Sequence, residues 1–129
     1  EQAMEKLSIR PGRKVCEAMR GLVEEAQHEI EEHDEKSPIL DLVIVAGMQR
    51  IEHYEIAAYG TNVALAEALG EKQVAKLLSE TLEEEKQTDL KLTEVTQKAI
   101  MPEALAGEEE EGGDERRGGG RSGGRRKAA

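Results

Sequence analysis

A chain of 129 residues with 28 acidic against 18 basic side chains, and a formal charge of −10, makes at most one modest domain. Charge of that sign argues against non-specific nucleic-acid binding and favours cations, metal ions included, as small partners. A single cysteine excludes an internal disulfide and fits a reducing, cytoplasmic setting, while no signal peptide opens the chain and no apolar run reaches the roughly eighteen residues that a membrane span needs.

The apolar material is Leu, Ile, Val, Ala and Met, with Tyr54 and Tyr59 the only aromatic residues. That mix suits a helix bundle. It gives a thin core for a monomer, so a homodimer or higher homo-oligomer is expected.

Four helical segments are predicted in chain order, and nothing alternates with the period of a strand. The first spans roughly 1–7, and "EQAMEKLSI" reads like the end of an element already under way, so the chain is expected to start inside a longer domain. "SIRPGR" separates it from a second segment at 13–34. There Cys16, Met19, Val23, Ala26 and Ile30 form the apolar stripe, which makes Cys16 a packed, inert thiol. Glu25-x-x-His28 has the spacing that di-metal bundles use for ligands, but both residues point well away from that stripe and are rejected as core ligands. "HDEKSP" ends the segment, with Ser37 as N-cap and Pro38 at the first position of a third helix over 38–69. Gly70 closes it as a C′ glycine. A fourth helix runs from 71 to 100, and Pro102 stops it.

The third and fourth segments are each near 45 Å long, and the link between them is one or two residues, which makes a long antiparallel αα-hairpin. The helical domain is taken as residues 1–101. Residues 102–129 are a charged tail whose Gly-rich part from Gly107 cannot bury a core and is expected to be disordered. "RRGGGRSGG" resembles arginine–glycine segments that bind RNA. It lacks aromatic residues and adjoins an acidic block that nearly cancels its charge, so nucleic-acid binding by the tail is not expected.

The anomaly lies within the hairpin. Val45, Met48, Ile56, Tyr59, Val63 and Ala66 fall within about 40° of Glu52 on a helical wheel, and Glu55 lies about 60° to one side. The fourth segment repeats the pattern, with Glu85 central in an apolar stripe and Asp89 about 40° away. Glu83 and Glu84 point elsewhere. Counted from Gly70, Glu52 and Glu55 stand 18 and 15 residues before the turn, while Glu85 and Asp89 stand 15 and 19 after it. The two acidic pairs therefore face one another at one height.

Carboxylates gathered inside a bundle cannot all stay ionised without compensation, because desolvating each charge costs on the order of several kcal/mol. Protonation, arginine or lysine partners, or a metal would relieve them. Arg50, Lys72, Lys76 and Lys86 are available as partners. An all-oxygen set suits iron, manganese or magnesium better than zinc held by thiolates. Tyr59, one turn from Glu55, stands where it could hydrogen-bond a metal ligand or act as a redox-active neighbour. His53, at the edge of the stripe, is read as a surface or interface residue.

Three stretches, "CEAMRGLVEEA", "QRIEHYEIAAYG" and "LLSETLEEEKQTDLKLTEV", resemble the YciE/YciF family of bacterial ferritin-like stress proteins, over roughly residues 1–97. The resemblance implies an all-α, ferritin-like antiparallel bundle with a carboxylate-bridged centre of two iron or manganese ions. It makes Glu52 and Glu55 the third-helix pair and Glu85 their fourth-helix counterpart. Asp89 sits near a place where ferritin-like relatives often carry histidine. A full four-helix member has two helices upstream, of which "EQAMEK" resembles the end of the second. Two functions follow as expectations: a di-iron or di-manganese protein handling Fe(II), oxygen or peroxide, or a non-catalytic helical oligomerisation module with a remnant metal site.

Overall fold

Ser37 opens the longest helix. Its backbone is extended, its Oγ accepts the Leu40 N–H at 3.1 Å, and Pro38 follows at the first helical position. These are the marks of a capped start. In the computed structural model, which describes residues 1–33 and 36–106, the helices are α1 (Gln2–Lys6), α2 (Glu17–Glu31), α3 (Pro38–Ala68) and α4 (Lys72–Val95). No strand occurs among the described residues. The predicted Gly-rich tail lies outside them.

Gly70 ends α3 at φ 76°, with its N–H bonded to Glu67 O and the Glu71 N–H bonded to Ala66 O. This is a Schellman cap, in which a left-handed residue lets the chain reverse while satisfying the last carbonyls. α4 starts two residues later and runs back along α3. As numbers rise on α3 they fall on α4: Gln49 meets Thr93, His53 meets Asp89, and Ala66 packs with Val74 and Ala75. The long antiparallel hairpin expected from the sequence is the backbone of the fold.

α2 packs on α3 at a close crossing. A Cβ placed on Gly47 would stand 2.9 Å from Ala26 Cβ, so the two helices approach only because Gly47 has no side chain. Arg50, one turn on, reaches Glu25 at 3.4 Å and pairs with Glu29. This contact turns α2 away from the predicted stripe. Met19, Leu22, Ala26 and Glu29 are half-buried, whereas Val23 and Ile30 are exposed.

Two other expectations are corrected. α2 begins at Glu17, so Cys16 precedes it as the N-cap and is exposed rather than packed. Pro102 does not stop the fourth helix. Thr96–Ile100 form a π turn, in which Met101 N–H bonds to Thr96 O, and helical backbone continues over residues 101–106. The wider turn makes room for a proline ring that would otherwise press on the carbonyl one turn back.

Among the described residues Val45, Ala66, Val74, Ala75 and Ile100 are the buried apolar ones, and none of the large side chains is fully enclosed. Met48, Leu65, Leu69 and Met101 are exposed. The hairpin thus has a tight seam and an open flank.

Candidate metal centre

The wheel positions of Glu52 and Glu55 on α3 and Glu85 on α4 become a real cluster once the hairpin closes. One carboxylate oxygen from each lies within 4.8 Å of the others, and all three side chains are half-buried. No cation pairs with any of them among the described residues. Arg50 is engaged by α2, Lys76 lies 3.7 Å from Glu80, and no ion pair joins the exposed Lys72 or Lys86 to the cluster. Among the described residues Glu52 Oε2 is buried without a hydrogen-bond partner, a state that costs free energy unless a proton or cation joins it.

The titration behaviour follows from that crowding. Burial, then the Glu85 charge, raises the Glu55 carboxyl above the usual glutamate range. Burial also leads for Glu85, followed by its contact with the Glu52 carboxyl and the charges of Glu52 and Glu84. Tyr59 is pushed up by burial and then by Glu55 and Glu85, so its phenol stays protonated and can donate. Three oxygen donors from two helices, one with an orphaned buried oxygen, fit a hard divalent ion and do not fit a thiolate metal.

Asp89 is not drawn into this group. Its Oδ1 accepts from Gln49 Nε2 at 2.9 Å and lies 3.3 Å from His53 Nε2, while the same Gln49 amide donates to Thr93 Oγ1 at 3.0 Å. Asp89 is 19% exposed and His53 67%. Gln49 is the residue that sequence reasoning missed. Its place beside Glu52 on the α4-facing stripe was the available signal, overlooked because an amide carries no charge to explain.

The other motifs fall outside the cluster. Glu25 and His28 are exposed on α2, as their wheel positions require. Cys16 Sγ lies 2.9 Å from the Tyr54 hydroxyl, and that hydrogen bond, with the Met19 N–H, holds the thiol below its ordinary value.

Residues 1–105 match the family described as a domain of unknown function, DUF892. The chain is 56% identical over 80 residues to protein YciF of Escherichia coli K12, a match covering 62% of this chain and 48% of YciF. It thus spans about half the length of that curated relative. The crystal structure of the E. coli stress protein YciF superposes with a TM-score of 0.68 at 50% identity, over 74% of this chain and 60% of that one. YcfI of Rhodopseudomonas palustris, for which a structural role has been suggested, superposes with a TM-score of 0.67 at 42% identity, over 71% and 58%. Among the described residues no helix is long and apolar enough to cross a membrane.

Proposed function

The chain belongs to the DUF892 family, and on that premise we propose that Glu52, Glu55 and Glu85 are the protein ligands of a carboxylate metal site in a ferritin-like bundle. The observation that carries this is the orphaned buried Glu52 oxygen inside a cluster that no arginine or lysine neutralises among the described residues. Asp89 joins the reading as the outlying fourth carboxylate, steadied by Gln49 and His53. The expected ions are iron or manganese, two per centre. Their chemistry when bound is electron exchange with Fe(II), oxygen or peroxide, in keeping with YciF being a stress protein.

The chain's own residues set the terms. α3 and α4 fix the three carboxylates at one height, so binding does not have to order them first. Tyr59 remains a neutral donor beside Glu55 and Glu85, able to orient a carboxylate without adding charge. The open flank leaves the centre accessible from one side.

Mn(II) and anaerobic Fe(II) titrations, followed by calorimetry, test the assignment. Glu52→Ala and Glu85→Ala should each weaken binding by at least about tenfold. Glu83→Ala, an exposed acid on the same helix, should change nothing. Full-strength binding in both cluster variants would refute the ligand set.

The raised carboxyls of Glu55 and Glu85 favour a second reading, in which protons replace metal and the chain is a helical assembly module. The same titration separates the two, since that module takes up no metal at any stoichiometry.

A further inference from the structure

We infer that Gln49 is a positioning residue of the proposed centre, its amide holding Asp89 beside the three glutamates without cancelling its charge. The inference rests on the reading of Glu52, Glu55 and Glu85 as a metal site. Gln49 precedes Glu52 by three residues on α3, and Asp89 follows Glu85 by four on α4. In an antiparallel pair both steps lead away from the turn, by about 4.5 and 6 Å along the axis. Gln49 and Asp89 thus form the layer next to the cluster. The bond between them crosses the α3–α4 seam, so it stands whatever packs on the open flank.

An amide nitrogen carries two hydrogens. Asp89 Oδ1 takes one from Gln49 Nε2 at 2.9 Å, and Thr93 Oγ1 takes the other at 3.0 Å. Two acceptors one turn apart on α4 fix the amide, and through it one oxygen of Asp89. The His53 contact falls on that same Oδ1, which leaves Oδ2 without a partner among the described residues.

The neighbouring residue does the opposite. Arg50 pairs with Glu29 and lies 3.4 Å from Glu25, so its guanidinium cancels charge that α2 brings. Gln49 has no charge to give, and the Asp89 anion keeps its attraction for a cation. His53 is 67% exposed, where solvent screens any charge it carries. A carboxylate only 19% exposed that meets no lysine or arginine among the described residues costs folding free energy. A bound cation offsets that cost.

Calorimetric Mn(II) titration of the EDTA-stripped 129-residue chain, with a melt of each metal-free variant, tests the role. Gln49→Met and Asp89→Asn should each weaken Mn(II) binding by about tenfold. The double variant should lose little more than either alone, because Gln49 acts through Asp89. A glutamine that only joins the helices would lower the melt and leave Mn(II) affinity within about twofold, which would overturn the inference. Losses that multiply to about a hundredfold in the double variant would overturn it too. So would tighter binding in Gln49→Met, since the amide would then be withholding Asp89 from the ion. Should Gln49→Met fail to fold, Asp89→Asn decides: a tenfold loss upholds the role, and an unchanged affinity refutes it. No Mn(II) bound by the wild-type chain would remove the metal-site reading itself, and this inference with it.

Discussion

Near the turn of the hairpin, Val74 and Ala75 of α4 close on Ala66 of α3, with Ala3 and Leu78 packed against them. About three helical turns away, the same faces of the same helices bring together Glu52, Glu55 and Glu85. Register treats the two layers alike, since each pairing follows from counting outward from Gly70. Their chemistry separates them. The apolar layer is complete as it stands, with Val74 only 4% exposed. The acidic layer holds a buried oxygen without a hydrogen-bond partner among the described residues, which a proton or a cation would satisfy. A helix pair specifies what meets, and the side chains then specify what else must be present.

The sharpest way to break this contrast is to cut into the dry layer. Val74→Ala removes two buried carbons and should cost about 2 kcal/mol in urea unfolding. An unchanged midpoint would mean that the turn end is not a packed layer at all. The matching cut in the acidic layer has the opposite sign. Glu55→Gln removes a charge that burial and Glu85 disfavour, so the metal-free protein gains stability at neutral pH. Solvent screening at a half-exposed site holds that gain below about 1 kcal/mol. The same change weakens Mn(II) binding, which exposes the site's cost and its use in one variant.

Acidity sharpens the contrast further. Glu55 and Glu85 both titrate above the usual glutamate value of 4.5 in the fold. The folded state therefore binds protons more tightly than the unfolded one, and the contribution of these groups is fully present below the unfolded value. It is lost as pH rises through the raised folded values. Metal-free melts should show this decline, and it should be smaller in Glu55→Gln. Metal binding runs the other way, because protons compete for the same oxygens and uptake weakens as pH falls.

Local chemistry made much of this legible in the sequence. Ser37 and Gly70 act on the residues beside them, so cap and turn were readable, and the turn fixed which acids share a height. Asp89 shares that height too, yet the wheel could not show that Gln49 and His53 would engage its carboxylate. That depends on side-chain reach across the seam. The stripe of α2 failed for a related reason: a glycine at position 47 and an arginine at 50, both on another helix, set which side of α2 turns inward. Cys16 was misplaced because helical periodicity was extended back to residue 13, four residues before the helix starts at Glu17.

The smallest expected effect tests whether the turn, rather than the stripe, sets the register. Gly70 has a counterpart in Ser8, which ends α1 at φ 56° with the same pair of bonds, Ser8 N–H to Glu5 O and Ile9 N–H to Met4 O. A serine in the left-handed region carries a penalty that glycine escapes, roughly 1–2 kcal/mol against an ideal fit. Sequence reading missed this cap because nothing marks serine for such a conformation. Gly70→Ala should lose about 1 kcal/mol, and Ser8→Gly should gain a few tenths to about 1. Both are read as melting shifts in the metal-free protein. If Gly70→Ala also weakens Mn(II) binding well beyond its stability loss, the turn is what holds Glu85 level with Glu52 and Glu55. If binding is untouched, the packing of Val74 and Ala75 on Ala66 is enough to keep the two helices in step.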